Sequence, residues 1–282
     1  MFKWMRLPTA NAAGTNSSDA TEVQIGTGLT VPDWARSVRA LHAHVTYLIL
    51  TTKENVCGYI RLQNDNNTLD PMNFPLPLVT ALTGAIGTHV VEDMVTVPCF
   101  HDVTPNDTVR AYAAFDNTTT GVHTLQAYVC FSSDPAPMQL HAQKSAVIAG
   151  SATANTEAGA ATISTLADKT SALLGMWHYF TAYPTVDQTL GGYTKIESAV
   201  KDWQKQEIPT NMIPSGLSTQ VTPLTKPVWC VIEELRKELS GYATLPFQVF
   251  PVKGKQDFNF SNYMDGTNTV APAGRYGLIW RE

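Results

Sequence analysis

Along this chain hydrophobic positions alternate with polar ones far more often than they recur every third or fourth residue. From Glu22 onward EVQIGTGLTV, SVRALHAHVTYLIL and VCGYIRLQ alternate, or run apolar, with β-branched and aromatic residues. That is the period of strands half-buried in a sandwich. VRAYAAFDN and VHTLQAYVCF flank a Thr/Gly-rich turn and predict a hairpin with a short loop. In the second half LLGMWHYFTAY and GGYTKIESAV read the same way. Two stretches break the period. Leu78, Leu82, Ile86 and Val90 fall at steps of four after Pro77, and Val231, Leu235 and Leu239 form one apolar stripe among charged neighbours before Gly241. Both predict a helix lying on a sandwich, over 76–90 and 228–239. The polar cluster NDNNTLDPMN, Asn64–Asn73, predicts a turn or loop.

These elements occur twice in the same order. Leu76–Phe131 and Val228–Glu282 each run from the helix-like segment through a Thr-x-Pro to a strand pair around an Asp-containing turn, ending on an aromatic-rich strand. The two Thr-x-Pro motifs, Thr96-Val97-Pro98 and Thr244-Leu245-Pro246, are 148 residues apart (246 − 98). His44 and His178, and Gly58-Tyr59 and Gly192-Tyr193, are 134 apart (178 − 44 and 192 − 58). The difference assigns about fourteen extra residues (148 − 134) to Ile208–Pro227, whose prolines predict an irregular excursion. Solenoid units repeat every ~20–50 residues, so a repeat this long is a whole domain. The organisation expected is an N-terminal arm over 1–20, a first β domain over 21–135 and a second over 136–282, with an insertion loop at 208–227. Between them SSDPAPMQ leads out of the first domain. KSAVIAGSATANTEAGAATIS then reads as a linker whose Val-Ile and Thr-Ile ends could each begin a strand.

Composition sharpens the picture. A length of 282 residues suits two domains, each able to bury a core of its own. Only 15% of residues are charged and the net charge is −5, which argues against a surface that grips nucleic-acid phosphates and favours β structure covered by neighbours. Cys57, Cys99, Cys130 and Cys230 form no CxxC pair and read as buried thiols. The first residues, MFKWMRLPTANAAGTNSS, are basic and aromatic but lack the apolar centre of a signal peptide. No run approaches the ~18 apolar residues that span a membrane. Phe2, Trp4, Met5 and Leu7 beside Lys3 and Arg6 make the arm a candidate to order against a neighbouring subunit or a membrane surface.

The search for chemistry returns little. His42 and His44 are two apart on a strand, so they share a face that could hold a metal, although packed or solvated histidines are the commoner case. His101-Asp102, Glu92-Asp93 and Glu233-Glu234 are adjacent groups of the kind that line a solvated face. No GxSxG, HExxH, Gly-rich phosphate loop or DxDxDG occurs. No catalytic, cofactor-binding or metal residue is assigned. Trp177, Tyr179, Tyr183, Trp203, Trp229 and Trp280 could stack on sugars, but on strands they read first as core.

Two similar β domains, each with a helix before its last strands, in a low-charge chain with an aromatic-basic arm, resemble a double jelly-roll major capsid protein. That lineage coats tailless, icosahedral, membrane-containing viruses of bacteria and archaea. Six strands per half are legible. A full jelly roll needs eight, so the remaining ones should lie in Gln63–Phe74 and Asp202–Lys226. The resemblance implies a structural, non-enzymatic protein of the virion, made in the host cytoplasm, whose homotrimers form pseudo-hexameric capsomers of an icosahedral shell. It implies as partners further capsomers, vertex or penton proteins, and an internal lipid membrane reached through Lys3, Trp4 and Arg6 of the arm. The helices would brace each roll, and loop 208–227 would cap the outer surface or clamp a neighbour. A carbohydrate-binding or host-recognition spike or fibre protein is the alternative, and a sandwich hydrolase would need paired carboxylates converging in a cleft.

Overall fold

The computed structural model describes residues 1–13, 21–49, 55–56, 58–66, 72–76, 79–80, 89–115, 122–151, 153–165, 172–182, 191–198, 206–214, 221–223, 229–230, 250–252, 254–264 and 273–282. Among them every regular element is a strand. The first half contains β1 (Phe2–Arg6), β2 (Ala10–Ala13), β3 (Val23–Thr30), β4 (Ser37–Ile49), β5 (Asn55–Val56), β6 (Gly58–Asn64), β7 (Met72–Pro75), β8 (Val79–Thr80), β9 (His89–Asp102), β10 (Thr108–Phe115) and β11 (Val122–Ser132). The second contains β12 (Leu140–Lys144), β13 (Ile148–Ala149), β14 (Ala158–Ser164), β15 (Ala172–Ala182), β16 (Gly191–Ser198), β17 (Gln206–Pro214), β18 (Val221–Pro223), β19 (Trp229–Cys230), β20 (Phe250–Pro251), β21 (Asp257–Met264) and β22 (Ala273–Arg281).

In the first half one sheet runs β1-β11-β4-β9, with β2 also on β11, and the other runs β3-β10-β6-β7. The second half repeats this order: β12-β22-β15-β19, with β13 on β22 and β20 on β15, and β14-β21-β16-β17-β18. Setting aside the two-residue pair β5-β8 and β18, which folds back antiparallel on β17, and counting β1/β2, β12/β13 and β19/β20 as single broken strands, each half has eight. Strands one, eight, three and six form one layer, and two, seven, four and five the other, which is the order of a jelly roll. The protein is therefore all-β, two jelly rolls in tandem. Of the strands lacking at the sequence level, β7 falls at the end of the interval expected in the first half and β17 and β18 inside that in the second, whereas the first strand of the first roll, β1/β2, falls in the stretch expected to be an arm.

Alternation of buried and exposed positions builds each core. Leu41, Ala43, Val45 and Tyr47 of β4 and Leu125, Ala127, Val129 and Phe131 of β11 meet Ile60 and Leu62 of β6 and Val109, Ala111 and Ala113 of β10. Leu173 and Met176 of β15 and Tyr276, Leu278 and Trp280 of β22 meet Ile163, Ile196, Phe258 and Phe260 in the second roll. Trp177, Tyr179 and Trp280 are fully buried, as core aromatics. Cys99 and Cys130 are buried free thiols, and burial raises both.

Four expectations change. β10 and β11 do not form a hairpin: β10 pairs with β3 and β6, and β11 with β1, β2 and β4. Alternation reports that a strand has one buried face, not which strand lies beside it, and here consecutive strands cross between layers. Residues 2–6 and 10–13 are not an arm but the first strand of the roll. They satisfy the edge of β11, with Leu7 fully buried beneath them. In the excursion at 208–227, residues 208–214 and 221–223 are strand and the others lie outside the described residues. Tyr193 pairs with Pro209 on β17 where, among the described residues, no strand lies beyond it, an edge position that tolerates proline. Of the helix segments, 81–88 and 231–239 lie outside the described residues, whereas Val79–Thr80 and Val90 are strand and so is Trp229–Cys230.

The connection between rolls is pinned by side chains of the first roll: Ser37 Oγ donates to Asp134 O (2.7 Å) and Arg39 Nη2 to Pro135 O (2.7 Å). Asp102 accepts from the Ala136 N–H (2.7 Å) and from Gln139 Nε2 (2.8 Å), tying the Pro-rich segment to the end of β9.

Candidate assembly interface

The second roll turns the outer face of its β22-β15 sheet onto the first. Leu140, Ala142, Ala172, Leu174, Trp177, Tyr179 and Ile279 pack into the first roll's core cluster rather than their own. Gly277 permits this, because a Cβ there would sit 1.8 Å from Trp177 Cε2. Polar contacts rim the apolar ones. Asn73 Nδ2 donates to Ala142 O (3.2 Å), Lys144 Nζ lies 4.4 Å from the Tyr59 ring centroid and Arg275 Cζ 5.0 Å from it. Arg275 is fully buried and donates to Ser145 O (2.6 Å).

Tyr59 belongs to a network on the outer face of β6. Its hydroxyl donates to Glu22 Oε1 (2.9 Å), Arg61 Nε donates to both Glu22 oxygens (3.0 and 3.1 Å), and Arg61 lies over the Tyr112 ring (4.2 Å). Burial would raise the Glu22 carboxyl, but the Arg61 hydrogen bonds and charge, the Tyr59 hydroxyl and the Lys144 charge outweigh it and hold it below the usual range.

The second roll pairs a carboxylate with a cation at the same two positions. Val23 pairs with Ala113 and Arg61 with Tyr112 as Ala158 pairs with Asn262 and Lys195 with Ser261, so Glu157 stands where Glu22 does, Lys195 where Arg61 does and Tyr193 where Tyr59 does. Glu157 is paired with Lys195 and accepts from Ser261 Oγ (2.6 Å) and Tyr263 OH (2.6 Å). Those hydrogen bonds, Lys195's first, lower its carboxyl to about 2, and the Glu157 hydrogen bond in turn raises Lys195. The sequence singles out none of these groups, although the matched Gly-Tyr dipeptides extend naturally to Gly58-Tyr59-x-Arg61 and Gly192-Tyr193-x-Lys195.

The sheet of the first roll that corresponds to β22-β15 has an open outer face. Leu7 N–H donates to Ala127 O (2.9 Å) and Ser145 N–H to Tyr276 O (2.8 Å), which sets β1 against β11 as β12 is set against β22. Along the ladders Arg6 pairs with Tyr128 and Tyr128 with His42, as Lys144 pairs with Gly277 and Gly277 with Trp177. Arg6 thus takes the place of Lys144, Trp4 that of Ala142 and Gln126 that of Arg275. Trp4, His42, His44, Gln126 and Tyr128 line a groove of ≈ 470 Å³ there. Trp4 meets His42 edge-on (6.4 Å), His42 Nδ1 bonds Thr96 Oγ1 (2.8 Å), and His44 Nε2 is 3.9 Å from Glu92. Phe2, Trp4, Val90, Met94 and Val122 are 49–64% exposed, and with the terminal Met1 they make up all the large apolar side chains that the described residues leave open.

The candidate residues fall out as follows. Lys3, Trp4 and Arg6 are exposed on β1, paired with Phe131, Cys130 and Tyr128. His42 and His44 share the open face. His101 Nδ1 bonds Asp102 O (2.8 Å) and its ring meets that of His141 edge-on (5.8 Å). Glu92 lies on that same open sheet, with Asp93 next to it on β9. Cys57, Tyr183, Trp203, Glu233 and Glu234 lie outside the described residues. Among the described residues no group of three or more His, Cys, Asp or Glu side chains is gathered to hold a metal, and no helix is long and apolar enough to cross a membrane.

Neither a protein-family model nor a curated protein sequence matches the chain. Among solved structures it is similar to the major capsid protein P2 of bacteriophage PM2, at 10% identity and a TM-score of 0.39 over 100% of this chain and 97% of that one. It is also similar to a peptide-N(4)-(N-acetyl-β-D-glucosaminyl) asparagine amidase, at 10% identity and 0.47 over 99% and 96%. A chain of Sulfolobus turreted icosahedral virus matches at 11% identity and 0.27, over 99% of this chain but only 59% of its own length.

Proposed function

We propose that this chain is a structural coat protein of a virion. Three copies associate so that six similar jelly rolls approximate a hexamer, and these capsomers tile an icosahedral shell together with vertex proteins. The observation that carries the reading is the docking of the two rolls in a head-to-tail sense. The β6 face of the first meets the β22-β15 face of the second, while the first roll keeps its own β11-β4 face open. A heterologous contact of this kind closes into a ring or propagates. A chain with two similar rolls supplies two steps of such a ring. The work done is physical rather than chemical, since Glu22 and Glu157 are each engaged by a cation and Asp102 holds backbone.

Light scattering on the purified protein, with negative-stain images of the same sample, tests this. A mass near three times 30.7 kDa with a six-sided outline, or sheets and shells, is expected. A stable monomer that binds glycans would replace the reading with a host-recognition module.

A further inference from the structure

We infer that His101 of the first roll and His141 of the second form a proton-operated latch at the junction, closed near neutral pH and released in acid when both rings are charged. The junction lies within one chain, so the latch works whether or not copies assemble.

The two rings meet across the boundary between the rolls. His101 on β9 is 7% exposed and His141 on β12 is 3% exposed, and their rings pack edge to face with centroids 5.8 Å apart. Each ring is held. His101 Nδ1 donates to Asp102 O (2.8 Å), which leaves Nε2 to take an added proton. His141 stacks on Trp280 (5.5 Å, 11° between planes), with Nε2 3.4 Å from Glu282 Oε1. One charge is tolerated there, because the indole face and the Glu282 carboxylate both favour a proton on His141. A second charge, on His101, is opposed by the first at this separation and by the burial of both rings. Parting the rolls gives both imidazoles to water. The open form therefore binds more protons, and acid favours it.

The surroundings suit a local release. The charged groups on the elements packed around the pair are Asp102 of β9, Arg36 and Arg39 at the start of β4, Asp134 in the connection, and Arg281 and Glu282 at the end of β22. Asp102 and Arg39 are bonded to Ala136, Gln139 and Pro135, which ties the connection to the first roll and makes β12, immediately after it, the point of release. Glu22 and Glu157 are held below an ordinary 4.5, so they keep their charge over the range of about pH 8 to 5 in which imidazoles change theirs.

A thiol placed between the rolls reports the opening. Ala142 is buried against the first roll, and Ala142→Cys in the full chain is labelled with a dipyridyl disulfide, which reacts in acid as well, each rate being taken relative to the same variant unfolded in urea. From about pH 8 to 5 labelling of the new thiol is expected to rise by at least about tenfold, since each extra proton bound on opening favours the open form about tenfold per pH unit. Cys99, buried in the core of the first roll, is expected to stay protected. Adding His101→Asn or His141→Gln should abolish the rise. Melting curves near neutral pH confirm folding, and Ala172→Cys, also packed against the first roll, gives the same reading should Ala142→Cys not fold. No rise in acid overturns the latch. An equal rise at Cys99 overturns it too, as global unfolding, and a rise that survives either histidine substitution gives the response to groups outside the pair.

Discussion

The Arg275 guanidinium carbon lies 5.0 Å from the centroid of the Tyr59 ring, joining the last strand of one jelly roll to the fourth strand of the other. Both side chains are buried, and Tyr59 also meets Lys144 and Glu22. Removing the ring therefore exposes two cations to an emptied site, while removing only the hydroxyl costs one hydrogen bond. Tyr59→Ala is expected to lower stability by about 3 kcal/mol and Tyr59→Phe by about 1 kcal/mol. Urea unfolding measures both. A Tyr59→Ala loss below about 0.5 kcal/mol, the range of an ordinary surface change, would mean that the ring is not the centre of the contact.

Gly277 and Trp177 form a matched pair across β22 and β15. The indole lies where any Cβ at 277 would stand, 1.8 Å from Cε2, so Gly277→Ala forces the largest side chain of the interface out of place. The expected cost is about 1–3 kcal/mol, as for other overpacked cores. Trp177→Leu alone leaves a void. Combined, the two substitutions relieve each other, and a double-mutant cycle should return a coupling of about 1 kcal/mol. Additivity would show that the ring does not rest on the glycine.

How far such pairs were visible beforehand depends on what periodicity encodes. The two-residue period marked β4, β6, β10 and β11, because each has one apolar face; apolar and aromatic runs marked β15 and β22, which are buried on both faces; and the shared Gly-Tyr marked β6 and β16 as counterparts. Partner choice was not visible. A strand bound for the opposite layer has the same alternation as one bound for a hairpin, which is why β10 and β11 read as neighbours. β1 read as an arm because its outward residues, Phe2 and Trp4, are apolar, and a strand apolar on both sides lacks the polar face that signals a sheet edge. Buried Arg275 was silent for a different reason: its environment is made by Tyr59, more than two hundred residues away in the chain.

Glu157 and Lys195 supply a prediction about acid. Hydrogen bonds from Lys195, Ser261 and Tyr263 hold the folded carboxyl at about 2, against an ordinary value of 4.5. A carboxyl depressed by folding binds fewer protons in the folded state than in the unfolded one, so its contribution is full above pH 4.5 and is lost as pH falls toward 2. Glu157→Gln keeps the shape and removes the charge. Its stability should sit below the wild type's at pH 7, and the gap should narrow steadily between pH 4.5 and 2, as followed by urea midpoints at each pH. Because Glu157 is part-exposed, its side chain at 39%, solvent screens the pair and the gap at neutral pH should stay small. Glu22→Gln should behave in the same sense, because against burial, which raises the carboxyl, Arg61, Tyr59 and Lys144 hold it below its ordinary value. Equal pH slopes for wild type and both variants would show that neither carboxylate is held by its cation, and the correspondence between the two networks would lose its physical content.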